Sequence, residues 1–233
     1  MIVLQNTTIE AITQFGCELF IKHRSQLNTF ESAAQTIVRE LYEAFSTPQG
    51  DPLFSLVRIF RFSHWDDLSP ALQQQALATS QYWLALMGTH GQEAAWGSRH
   101  SSMEHQIIPA DSAATPMLQA AFQQIGLRFG AEAQTASTLL LHEQNDFSSL
   151  QHFYVPQALG SPHIPAQEDF VIPYGIQSVV GFGSPMLRMS AYLCLCFTRS
   201  MLTAADVDKF VTLNLFISAL LSRFNHPGSI WQD

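Results

Sequence analysis

The residues best suited to chemistry are Cys194 and Cys196, two apart in the run AYLCLCFTRS. A thiol pair can cycle between dithiol and disulfide or bind a soft metal, and both uses need adjacent sulfurs that deprotonate readily. Strand alternation puts Tyr192, Cys194, Cys196 and Thr198 on one face and Leu193, Leu195 and Phe197 on the other. Same-face neighbours on a strand have Cα atoms about 7 Å apart, at or beyond the span of a disulfide. A zinc site wants about four ligands, and no Cys-x-x-Cys accompanies the pair. The plainer reading is that both cysteines are small apolar residues filling a core.

Histidine is the next candidate, because imidazole is the usual protein donor to transition metals and to haem. His90, His100, His105, His142, His152 and His163 fall in one irregular stretch, and apolar runs flank His142 and His152. Their spacing makes no helical metal-binding face, so surface or hydrogen-bonded histidines are the simpler account. Other catalytic signatures are missing. GIQSVVG around Ser178 is not Gly-x-Ser-x-Gly, and GFGSPM lacks the third glycine of a dinucleotide loop. Asp66-Asp67 and Glu168-Asp169 are adjacent pairs whose carboxylates diverge, unlike a general acid/base couple.

Composition narrows the classes further. The chain has 233 residues, 47% of them hydrophobic and 13% charged, which suits one large core rather than a disordered segment. Eleven Lys+Arg against nineteen Asp+Glu give a formal charge of -8, and no window is rich in basic residues. Nucleic-acid binding, which depends on neutralising phosphates, is not expected. No stretch approaches the ~18 apolar residues of a membrane span, and MIVLQNTTIE has no basic leader region, so a cytoplasmic protein is expected.

The elements that would position these residues follow from periodicity. Thr7-x-x-Glu10 has capping-box spacing and opens a helix over residues 8–23, which Gly16 weakens. Residues 30–45 put Phe30, Ala34, Ile37, Val38, Leu41 and Phe45 on one stripe, a second helix. LFSLVRIFRF (53–62) reads as a strand with Arg58 and Arg61 on opposite faces. Ser69-Pro70 looks like an N-cap and first helical residue, leading to a long helix that stops at Gly88.

Beyond it, a short strand near 103–108, a helix over 116–127 and strands or buried turns in TASTLLLHEQ and SLQHFYVP are expected. GIQSVVGFG and AYLCLCFTRS form a strand pair. Residues 202–224 form a helix opened by Thr203-x-x-Asp206, with an apolar face wider than one sheet covers; a partner helix or second subunit is inferred. The order is that of an α+β domain with one antiparallel sheet.

Residues 175–221, GIQSVVGFG through AYLCLCFTRSMLTAADVDKFVTLNLFISALL, resemble the C-terminal half of GAF domains, and the rest follows their order of elements. The resemblance implies an α+β fold: an antiparallel sheet with N- and C-terminal helices on one face and a small-molecule pocket, roofed by irregular segments, on the other. It implies one domain over 1–233, with extended N-terminal helices at about 8–46 and a pocket roof at about 88–170. It also implies a sensory or regulatory module that dimerises through its terminal helices. Neither the Cys-His dipeptide of bilin-binding members nor the NKFDE string of cyclic-nucleotide-binding members is present. The GAF-fold methionine sulfoxide reductases carry their cysteines in loops over the pocket, whereas Cys194 and Cys196 fall mid-strand.

Given that layout, the Leu/Phe face of the CLC strand is assigned to the helices and its cysteine face to the pocket. The expected ligand-binding residues are Trp96, His142, His152, Phe153, Tyr174, Phe182, Tyr192, Cys194 and Cys196, with Phe147, Tyr154 and Phe170 nearby. The expected function is binding of a small, largely apolar or planar ligand and signalling, as a homodimer, to a separate partner protein. No cofactor is specified; haem would take a ligand from the histidines above. A non-catalytic scaffold or dimerisation module is the alternative, with a cysteine-dependent redox enzyme behind it.

Overall fold

The computed structural model describes residues 1–76, 80–102, 104–110, 116–124, 152–188 and 190–232. Helix α1 spans Ile9–His23, and its N-cap is Thr8, one residue later than the Thr7 spacing suggested. Helix α2 spans Phe30–Ala44 behind a capping box in which Thr29 and Ser32 satisfy each other's backbone N–H groups. Two short segments, β1 (Ile2–Val3) and β2 (Phe45–Ser46), pair in parallel beside them.

The sheet begins with β3, Phe54–His64, buried along nearly all of its length. The long helix expected after Ser69 is not formed. Ser69 does cap a helix with Pro70 in its first turn, but this α3 stops at Gln75, and Tyr82–Gly91 is strand β4. The physical reason is burial on both faces: Trp83, Ala85 and Met87 face one cluster of core residues, Leu84 and Leu86 the other. Such a strand shows no polar alternation, so its sequence cannot be told by period from a buried helix.

Short strand β5 (Ile107–Pro109), helix α4 (Pro116–Gln124) and short strand β6 (Phe153–Val155) follow. They match the strand, the helix and one of the two strands or turns anticipated there; TASTLLLHEQ lies outside the described residues. The pair β7 (Ser178–Met186) and β8 (Ser190–Thr198) and helix α5 (Ala204–Ser222) complete the order. As expected, Thr203 and Asp206 form a capping box at the start of α5. The sheet runs β5-β4-β3-β8-β7-β6, with every neighbouring pair antiparallel and β3 and β8 as the central pair.

Helix α2 packs over β3 and β4, α5 over β7, and α1 lies on α5. The apolar width of α5 therefore finds its partner helix within the chain. Gly16 is what lets α1 approach: a Cβ there would sit 2.3 Å from Cδ2 of Phe216. The glycine that weakens α1 as a helix is the one its packing requires.

Two apolar clusters flank the sheet. The helix-side cluster contains Val57, Ile59, Val180, Phe182, Tyr192, Cys194 and Cys196 under Phe30, Ile37, Leu41, Phe210 and Ile217. The opposite cluster contains Leu56, Phe60, Leu193, Leu195 and Phe197 under α4 and the segment 158–176.

Candidate functional site

The two faces of β8 are thus the reverse of the assignment made from sequence. Tyr192, Cys194, Cys196 and Phe182 lie beneath the helices, while Leu195 and Phe197 face the cavity. Parity divides the strand into two faces, but both are apolar, and what decides between them is the polar end of Tyr192. Its hydroxyl donates to Asn214 of α5, whose Nδ2 donates to the Gly183 carbonyl at 2.8 Å. A buried tyrosine goes where its hydroxyl has a partner, and the cysteines follow it.

The thiols are poorly suited to redox work there. Both cysteines are free and fully buried, with their sulfurs 4.0 Å apart. Burial, reinforced by the neighbouring Cys196 sulfur, raises the Cys194 thiol well above its ordinary pKa. The nucleophilic thiolate is therefore suppressed.

On the other face the sheet floors a cavity of about 620 Å³. Its floor comes from alternate residues of β3 and β8: Leu56, Arg58 and Phe60, with Leu195 and Phe197 beside them. One wall is aromatic. Trp96 meets Tyr174 edge-on at 4.6 Å between ring centroids, and Phe170 lies 5.9 Å from Trp96 and 5.0 Å from Phe197. Gly91 makes room for this wall, since a Cβ there would come within 2.7 Å of the Trp96 ring. Tyr174 is held through its carbonyl, which accepts from the Ser55 hydroxyl at 2.9 Å. Ile108, Met117, Leu118, Ile164 and Pro165 add to the apolar lining.

The polar lining is sparse: Arg58 on the floor, and Ser102, Glu104, His105, His163 and Asp169 around it. The loop carrying Ser102 to His105 is tied by Gln106, whose amide donates to the Arg99 and Ser102 carbonyls. His105 has φ 60°, a left-handed conformation that side-chain-bearing residues seldom adopt. Desolvation, with the Arg58 cation second, lowers the His105 pKa and keeps its imidazole neutral at pH 7. The volume, the apolar walls and the few polar groups are those of small-molecule sites, which run to about 300–1,000 Å³.

Of the nine residues expected to bind, Trp96 and Tyr174 line this cavity. Phe153 is buried in the apolar cluster on the same side of the sheet without lining the cavity. His152 lies elsewhere, its Nδ1 3.8 Å from Oδ1 of Asp208, and His142, like Phe147, lies outside the described residues. His105 and His163 belong to the irregular stretch of histidines considered from sequence as metal or haem ligands, whereas Arg58 was not among the expected binding residues, although an arginine inside the apolar run LFSLVRIFRF is a signal that could have found it. Among the described residues no group of three or more His, Cys, Asp and Glu could hold a metal ion.

No protein-family profile matches the sequence, and no curated protein does either. Solved structures do. The structure of a free methionine-R-sulfoxide reductase from Neisseria meningitidis, in complex with its substrate, aligns with a TM-score of 0.53 at 10% identity, covering 94% of this chain and 93% of that one. The GAF domain of a phosphoenolpyruvate-protein phosphotransferase from Coxiella burnetii aligns with a TM-score of 0.51 at 9% identity, covering 93% and 96%. A further GAF domain structure aligns at 0.50 and 10% identity over 100% of this chain. This chain has a GAF-like fold. At such identities the likeness is one of architecture, an antiparallel sheet with helices packed on it.

Proposed function

We propose that this GAF-like chain is a sensory or regulatory domain that binds a small planar ligand in the cavity over β3 and β8. The observation that carries the reading is the cavity itself, floored by strand residues and walled by Trp96, Phe170 and Tyr174. A core of this size would be filled if its only task were stability, because protein interiors close-pack. The ligand-dependent state is read by a separate partner, with the protein acting as a cytoplasmic homodimer. Apolar side chains exposed on the outer helices, Ile9 and Ile21 of α1 and Leu215 of α5, support that dimer. Among the described residues no helix is long and apolar enough to cross a membrane.

The neighbouring reductase does not extend its chemistry to this chain, since Cys194 and Cys196 are sealed on the far side of the sheet from the cavity. The test is the absorption spectrum and native mass of the protein as purified, followed by thermal-shift screening against small metabolites. A mass excess, or stabilisation by a metabolite that Trp96→Ala abolishes, is expected. A protein of bare subunit mass that no metabolite stabilises overturns the reading and leaves a scaffold with a vacant core. A bound haem would appear as a Soret band in the same spectrum.

A further inference from the structure

Among the described residues Arg58 is the one cation on the cavity floor, and its bonding is incomplete. Its Nη2 donates to the Ser102 hydroxyl at 3.4 Å, a long contact, and its buried Nε has no partner. No carboxylate lies within ion-pair distance of it among the described residues. Glu104 acts on it only from farther away, opposing the burial that pulls its pKa down to about 10. A guanidinium carries five donors in a rigid fork, and leaving them unused beneath an apolar chamber is costly unless something else takes them.

The surroundings say what that something is. Leu56, Phe60, Leu195 and Phe197 flank Arg58 on the floor, so a group reaching the fork from the cavity arrives through apolar space. The aromatic wall stands to receive a flat body. A carboxylate fits the fork through paired N–H···O bonds. Among the described lining residues, Glu104 and Asp169 outweigh Arg58, with His105 neutral, and this balance sets the number of charges. A doubly charged phosphate would meet net repulsion, whereas a single carboxylate would complete the one open cation.

We infer that the ligand is an aromatic or otherwise planar monocarboxylate, its carboxylate held by the Arg58 guanidinium and its ring against Trp96, Phe170 and Tyr174. The inference rests on the proposed reading of the cavity as a ligand site and names the class of ligand.

Matched probes separate the two. Binding of 2-naphthoate, 2-naphthamide and 2-naphthyl phosphate to the wild-type chain is measured by titration calorimetry at low salt, then repeated on Arg58→Gln and Arg58→Lys. Naphthoate is expected to bind the wild type about tenfold to a hundredfold more tightly than naphthamide, the range that hydrogen bonds to charged groups support. Naphthyl phosphate is expected to bind more weakly than naphthoate. Arg58→Gln is expected to bring the affinity for naphthoate down to that for naphthamide, and Arg58→Lys retains part of the preference.

Equal binding of naphthoate and naphthamide by the wild type overturns the carboxylate subsite while leaving the cavity a ligand site. So does naphthyl phosphate binding as tightly as naphthoate. If none of the three binds, the cavity reading fails and this inference with it. The wild-type comparison decides the question even if Arg58→Gln does not fold.

Discussion

Strand β3 sends one arginine to each face of the sheet, and the two are treated in opposite ways. Arg61, 1% exposed, lies on the helix side with its donors engaged: Nε and Nη2 reach Asn225, Nη1 reaches Ser63 at 2.7 Å, and Nη2 reaches Asp67 at 3.0 Å. Its guanidinium also stands 5.8 Å from the centroid of the Phe30 ring. Burial lowers its pKa and the Asp67 carboxylate pulls it back. Arg58, three residues earlier, has one long hydrogen bond and an unpartnered Nε. The arginine on the helix face is fully bonded, although Nδ1 of His90 beneath α2 is left without a partner, while the arginine on the other face stands beside open volume with donors to spare. An incompletely bonded cation beside open volume marks where something external can belong.

The strongest test of the contrast is removal of the satisfied cation. Arg61→Met leaves the Asp67 carboxylate without its cation and the buried Asn225 carbonyl oxygen with only the Ser190 hydroxyl, 3.0 Å away, and should cost about 3–5 kcal/mol, the range for breaking a buried charge network. In a chain of this size that lowers Tm by roughly 10 °C. Thermal unfolding followed by circular dichroism measures it, and a change within experimental error would show that the helix face does not depend on this network.

A second test asks whether the helix face is as tightly packed as it looks. Gly16→Val places a side chain against the Phe216 ring, and overpacking of this kind costs about 1–3 kcal/mol. The loss should shrink in the double variant with Phe216→Ala, because the two sites share one contact. Simple additivity would mean that α1 adjusts its seat without strain.

The open face should respond with the opposite sign. Arg58→Met replaces an incompletely bonded cation by an apolar chain of similar length, and a gain of about 1 kcal/mol in the ligand-free protein is expected. Chemical denaturation of wild type and variant decides this. A loss comparable to that of Arg61→Met would mean that Arg58 is structural, and the contrast between the faces would collapse.

How far the sequence revealed these faces depends on how each residue is buried. Helices α1, α2 and α5 were legible because each carries a cap or a stripe, and Thr203 with Asp206 marks the start of α5 to the residue. Strand β3 showed its two arginines on opposite faces by parity alone. Strand β4 was hidden, because a strand buried on both sides has no alternation and follows a genuine helix start at Ser69. The orientation of β8 was hidden for a related reason: Cys194 and Leu195 are both apolar enough for either core, and the hydrogen bond from Tyr192 to Asn214 joins residues 22 apart. The site was half legible. Trp96 and Tyr174 declared themselves as aromatics in an irregular stretch, but nothing local says that Arg61 finds Asn225 and Arg58 finds no equivalent.

The smallest effect expected is one of pH, and it separates the faces by the end of the scale at which each appears. On the helix side, burial alone would raise the Asp206 pKa, but the Thr203 N–H and hydroxyl and the Lys209 ammonium hold it below its usual value. A carboxyl depressed in the folded state stabilises above its unfolded pKa, and that contribution is lost as pH falls through the folded value. Asp206→Asn should therefore cost about 0.5 kcal/mol at pH 7, as expected for a charge at a helix start, and nothing in strong acid. Arg58 works in the other direction. With its folded pKa pulled down to about 10 from the higher ordinary arginine value, the unfolded chain binds more protons only between the two, so stability contributed by this site rises with pH only there. Below pH 10 the cost of the buried charge is constant, and the advantage of Arg58→Met should be flat from pH 6 to 9 and shrink above 10. Denaturant midpoints across both ranges check the pair. An Arg58→Met advantage that varied through neutral pH would point to a titrating neighbour such as His105, rather than the guanidinium, as the group the cavity holds in an unfavourable state.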